Sequence, residues 1–279
     1  MPKTRPRWWQ WPTVLSLDAT AVVLTWQALV AAQTGEALGG APRFVLGASV
    51  WLAYSADRWI EGWRLMPEQV QTARHAFYQR ARWPMAALGV AVFAADVTAA
   101  VRGLTSGQFV AGACIVPAVL LYLLSHQLVH RHHPARVPKE VCVALLLAVG
   151  IGVFIVPRLP DHQGGRATWP LGAFTLLAFA NCALISAWEH GIDTVQGQTS
   201  LAHQFRDGHA LARAAAVASV IAGAAIFLMA PRFKVTGEAT ALAGLLLFLI
   251  DLNELRLGRK AVRVLADAAL LTPLIWLWR

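Results

Sequence analysis

The sequence predicts an all-α polytopic membrane protein, and three observations carry that expectation. Apolar runs of sixteen or more residues recur along the whole chain, close to the ~20 residues that cross a bilayer and longer than a soluble core needs. The runs do not alternate polar with apolar residues, so they are helices that satisfy their own backbone hydrogen bonds in lipid, not barrel strands. With 57% hydrophobic and 14% charged residues among 279, little chain is left for a soluble part, and residues 1–279 read as a single transmembrane domain.

Nine spans follow in order. The first, 13–32, comes after the basic "MPKTRPR"; its length and the Asp18 inside it favour a retained span over a cleaved signal. The second, 44–63, begins apolar at Phe44 and ends in the charged stretch "ADRWIEGWR". The third and fourth, 83–101 and 108–126, are joined by a short loop. The fifth, 140–157, is short and reaches membrane thickness by recruiting Lys139, whose aliphatic stem lets its ammonium reach the interface. The sixth, 169–189, closes on Glu189. The seventh, 210–230, the short eighth, 236–252, and the ninth, 262–278, complete the set.

Charge orients the bundle. With an odd number of spans, 17 of the 24 Lys and Arg residues fall on the side of the amino terminus and seven on the other. The positive-inside rule then places the amino terminus in the cytoplasm and the carboxyl terminus outside, with an inner bacterial membrane as the expected location. The net charge of +9 is this bias together with attraction to anionic membrane lipid, and calls for no nucleic acid. Tryptophans mark both edges, Trp8, Trp9, Trp11, Trp59, Trp63, Trp83 and Trp188 inside and Trp169, Trp276 and Trp278 outside. Cys114, Cys142 and Cys182 lie in or beside spans and imply no disulfide framework.

The cytoplasmic loops, 64–82, 127–139, 190–209 and 253–261, are the long ones, and eight of nine histidines lie on or beside them. Chemistry is therefore expected at the cytoplasmic face. No Gly-rich nucleotide loop, nucleophile elbow or Cys-x-x-Cys pair is present.

The informative residues are acids that end apolar helices. Asp57 and Glu61 are one turn apart at the end of the second span, and Glu189 and Asp193 repeat the spacing at the end of the sixth. Like charges so placed need a cation, a nearby Arg or interfacial water. Four carboxylates from two helices near one interface suit Mg²⁺, which binds through a few carboxylates plus phosphate oxygens.

These features resemble the UbiA superfamily of intramembrane prenyltransferases, whose first motif reads Asn-Asp-x-x-Asp-x-x-x-Asp. "AYSADRWIE" matches its last two acids as Asp57 and Glu61, with Ala53 and Tyr54 where the family has Asn and Asp. "EHGIDTVQGQTSLA" supplies Glu189, Asp193, Gly197 and Ser200 in the register of the second motif, and its earliest acid falls on Ile185 or Ser186. The resemblance implies a UbiA-like nine-helix bundle with a lateral apolar cavity. It further implies Mg²⁺-dependent transfer of an isoprenyl group from an allylic diphosphate to a small or lipid acceptor that the sequence does not identify. Asp57, Glu61, Glu189 and Asp193 would be the catalytic acids and Mg²⁺ ligands. Arg64, Arg74, Arg131 and Lys139 would bind the diphosphate, and Asp18 and Tyr54 would line the cavity.

Three alternatives stand beside this expectation. A UbiA-like protein that transfers nothing would bind lipid or scaffold a pathway. The histidines of "SHQLVHRHHP" resemble part of a di-iron histidine box, although the remaining histidines are isolated. Asp18 and Asp96, single acids inside spans, would suit a transporter, but no inverted repeat accompanies them.

Overall fold

The computed structural model of the protein describes residues 6–125, 137–160, 165, 167–196 and 200–278. Among them all regular structure is helical. The first half holds α1 (Trp11–Val14), α2 (Leu17–Thr34), α3 (Gly40–Arg64), α4 (Ala73–Arg80), α5 (Arg82–Gly103), α6 (Ser106–Leu124) and α7 (Lys139–Gly152). The second holds α8 (Thr168–Trp188), α9 (His190–Gln196), α10 (Leu201–Gln204), α11 (Gly208–Met229), α12 (Lys234–Leu252), α13 (Glu254–Leu257), α14 (Arg259–Ala269) and α15 (Leu274–Leu277). Six described segments are long and apolar enough to cross a membrane, and a seventh if the pair bent by 74° before α2 is one span. The protein is an integral membrane protein.

Local chemistry sets the helix ends. The bend before α2 sits at Ser16, whose φ of 59° is left-handed, and whose buried hydroxyl pairs with Tyr78 Oη at 3.2 Å. Tyr78 also donates to Ser55 Oγ at 3.1 Å, so the loop helix α4 is tied to both α2 and α3. Gly35, with φ of 80°, closes α2 and returns its N–H to the last turn. At 25 residues α3 is about 37 Å long and outruns a ~30 Å hydrocarbon core, which carries its charged last turns into the polar layer.

The predicted ninth span is broken. Pro273 has no N–H to continue the ladder of α14, and the chain turns before α15. The indole of buried Trp26 takes the freed carbonyl of Leu270 at 2.8 Å, which is how a broken helix is tolerated in a membrane protein.

Helix α8 is central, packed against α7 on one flank and α11 and α12 on the other, with α2 and α14 closing over it. Trp26 and Phe174 meet at 5.1 Å between ring centres beside Leu177 and Leu184. Along α11 and α12 the backbones touch, because a Cβ on Gly237 would stand 2.6 Å from Gly223 O. Their ends near α8 are tied by Asp251, which accepts from Trp188 Nε1 at 3.0 Å, His209 Nε2 at 2.7 Å and Arg213 Nε at 2.6 Å. By contrast α5 buries only Met85 and Asp96, and α6 only Gln108. Asp96 is covered by α3, where Ser49 donates to it at 2.9 Å.

Candidate functional site

The predicted acids are held at one end of the bundle by α3, α8 and α9, with α4 and α14 laid over them. Each is met by a cation or an imidazole. Glu189, just past the end of α8, accepts from Arg74 of α4 at 3.0 Å and from Arg263 of α14 at 2.6 Å. Asp193 lies 3.6 Å from Lys139 Nζ at the start of α7, and Glu61 and Asp57 lie within electrostatic range of the same ammonium. Glu61 also faces His75 Nε2 at 3.1 Å. The Gln196 amide lies 2.9 Å from His75 Nδ1, and Arg74 Nε approaches the same Nε2 that faces Glu61, at 3.4 Å, so the imidazole is held between Gln196, Glu61 and Arg74. Burial pushes the His75 imidazole below its ordinary pKa, with Glu61 opposing the shift.

The structure thus pairs Asp193 with Lys139, places Glu140, Glu61 and Asp57 within electrostatic range of it, and ties Glu189 to Arg74 and Arg263. Arg64, the last residue of α3, forms no ion pair among the described residues. Arg131 lies outside the described residues, as do Gly197 and the histidines from His126 to His133. Among the described residues no three His, Cys, Asp or Glu side chains converge as metal ligands do.

Deeper along the axis, Asp18 and Tyr54 face each other together with Tyr122, Cys142, Cys182 and Asp267. All six are partly exposed. The shallow groove on the lipid side, of about 540 Å³, is a different feature. It is lined by Ala41, Phe44, Ala95 and Ala99 near the far ends of α3 and α5, away from the acids.

Several members of the site were not singled out from sequence. Arg263 and Asp267 stand one turn apart in α14, a charged i, i+4 pair inside an apolar run, which is a detectable signal. Arg58 is buried, donates to Thr13 O at 2.8 Å and lies over the Tyr54 ring. Glu140 is buried and accepts from Leu201 N at 3.1 Å. His75, Asn181 and Gln196 carry no local pattern that marks them.

No family model matches the chain, and no curated protein matches it. Among solved structures it is similar to the apo structure of a UbiA homolog from Aeropyrum pernix K1, with a TM-score of 0.62 and 14% sequence identity over 95% of this chain and 99% of that one. At that identity the likeness shows the fold: the helices of this protein are arranged as in the UbiA homolog.

Proposed function

We propose that this protein is an integral membrane prenyltransferase of the UbiA type. It binds an isoprenyl diphosphate with the headgroup at the charged cytoplasmic end and the tail between the helices, and passes the prenyl group to an acceptor. The observation that carries this reading lies in the two arginines clamped on Glu189. Arg74 Nη1 and Arg263 Nε are buried donors without acceptors. Buried donors in a guanidinium are costly to leave unpaired, and phosphate oxygens match their geometry. Lys139 adds a third positive charge, and with the arginines would stabilise the charge that grows on the leaving diphosphate. The fold supports the same assignment.

Mg²⁺ remains part of the proposal as the ion that the resemblance implies, with Asp57, Glu61, Glu189 and Asp193 as its ligands once their present partners turn to the phosphates. The second reading, a UbiA-like protein that binds lipid without transferring it, is favoured by the neutralisation already in place around each acid.

Thermal melting of the detergent-purified protein separates these. Geranyl, farnesyl and geranylgeranyl diphosphates are each added with Mg²⁺ or with EDTA; ligand at ~100 times its Kd adds about 2.7 kcal/mol. A shift that survives EDTA and disappears in Arg74→Gln means that the cations hold the headgroup. One that needs Mg²⁺ and disappears in Asp57→Asn/Asp193→Asn means that the acids hold a metal. If folded protein shifts with none of the three, the transferase reading fails and the non-catalytic one replaces it.

A further inference from the structure

The lipid-facing groove between α3 and α5 takes no part in holding the headgroup. It encloses about 540 Å³, with Ala41 and Phe44 of α3 on one side and Ala95, Thr98, Ala99 and Arg102 of α5 on the other. The helix contact beside it is fixed at two levels. At the rim Gly103 lies so close to Ala41 that a Cβ there would collide with it, and deeper in the bundle Ser49 donates to Asp96 at 2.9 Å. The alanines leave the space open, and Phe44 gives it a wall.

Its reach and its charge say what fills it. From Ala94 to Gly103, the span of α5 that lines the groove, the helix rises about 13.5 Å. That is close to half of a ~30 Å hydrocarbon core, the depth of one leaflet, whereas a helix crossing the membrane would use the whole thickness. The mouth is basic. Arg102 lines it and Arg43 stands between Ala41 and Phe44; both are exposed, and no acid among the described residues pairs with either. Asp96, the one acid of α5, is taken up with Ser49, and Glu36, in the turn after α2 at the same end of the bundle, is held by Arg158 at 2.9 Å. Two guanidinium groups without acids at the rim of an apolar groove match the oxygens of a phosphate.

We propose that the groove between α3 and α5 is a binding site for an anionic phospholipid, with one acyl chain along Ala95, Thr98 and Ala99 and the phosphate between Arg102 and Arg43. A choline lipid also carries a phosphate, but its quaternary ammonium would meet the same two guanidinium groups, so a headgroup of net negative charge is preferred. The occupant has a structural consequence. Helix α5 packs chiefly on α3, and a lipid seated in the groove covers the open flank of that pair. The site is independent of the transferase reading, because Phe44 and Asp57 lie about 20 Å apart along α3.

The test uses the full-length protein in phosphatidylcholine nanodiscs that carry a trace of phosphatidylglycerol, or of phosphatidylcholine, with a photoactivatable diazirine on one acyl chain. Labelled peptides are read by mass spectrometry, and the lipid face of α6, which buries only Gln108, is the internal reference for bulk lipid. Relative to α6, the phosphatidylglycerol probe should label residues 41–44 and 94–99 about tenfold more than the phosphatidylcholine probe, the weight of one charge-assisted hydrogen bond. Arg43→Gln/Arg102→Gln should bring the two probes to one level. Ala95→Phe, which fills the groove from an exposed position, should reduce the phosphatidylglycerol labelling there to that of α6. Equal labelling by both probes in wild type overturns the proposal without need of a variant. So does a preference that survives loss of both arginines in protein that melts like wild type. A dimer in detergent that Ala95→Phe dissociates also overturns it, by seating a second copy of the chain in the groove.

Discussion

Between α11 and α12 nothing but backbone separates the helices, whereas at the charged end of α3, α8 and α14 long side chains fill the gap. A Cβ on Gly244 would meet Ala216 O at 2.9 Å, and one on Gly237 would meet Phe227 Cα at 3.0 Å. At the charged end Arg74 and Arg263 instead span to one carboxylate. In lipid two apolar helix faces gain little by meeting, so the seam is held by close van der Waals contact that small residues permit. The charged end is held by mutual neutralisation away from water. The seam should therefore fail when volume is added, and the charged end when charge is removed.

Adding volume is the more damaging change. Gly237→Leu, which drives a side chain into the α11 backbone, is expected to cost about 3 kcal/mol, read as a lower melting temperature in detergent. Leu120→Phe on the lipid face of α6, where the residue is 52% exposed, serves as its control and should melt like wild type. A Gly237→Leu protein as stable as that control would break the comparison, since the helices would then have room between them.

Removing charge comes next. Arg263→Gln leaves Glu189 buried with Arg74 as its remaining guanidinium, for an expected loss of about 2 kcal/mol. Arg263→Lys sharpens the point, because it restores charge without the planar fork. Recovery of less than half the lost stability would show that geometry matters beside charge, while full recovery would reduce the contact to charge alone.

The smallest effect concerns His75. Its pKa is lowered in the folded protein by burial, so the unfolded chain takes up the proton first. The stability it contributes is complete above its ordinary value of 6.5 and is lost as the pH falls below it. Melting temperature should drop between about pH 7.5 and about pH 5.5, and His75→Gln should flatten that drop. An equal drop in the variant would assign the acid sensitivity elsewhere.

Much of the charged end was legible in the sequence. The spacing of Asp57 with Glu61 and of Glu189 with Asp193 marks one helix turn, and two such pairs at equivalent depth stand out in a chain this apolar. Lys139 was legible as a basic residue opening a span. Asp18 was visible as a lone acid, and Asp267 was detectable through its i, i+4 spacing from Arg263, but nothing local joins the two acids. Asn181 and His75 have no periodicity to betray them; their roles come from which oxygen or nitrogen lies opposite. The break at Pro273 could have been anticipated from the missing N–H, yet the indole that takes up the freed carbonyl comes from the other end of the chain.

The sequence by itself determined that the protein lies in a membrane, that it is helical, and which acids end α3 and which follow α8. These are local properties, imposed by a solvent of fixed thickness that admits no unpaired backbone. Tertiary structure decided that Lys139 pairs with Asp193, that Arg74 and Arg263 answer Glu189, and that Asp18 and Asp267 come within range of each other. Contacts between helices depend on how each is rotated about its own axis, and one residue of offset turns a side chain by about 100°, from a partner's face to lipid.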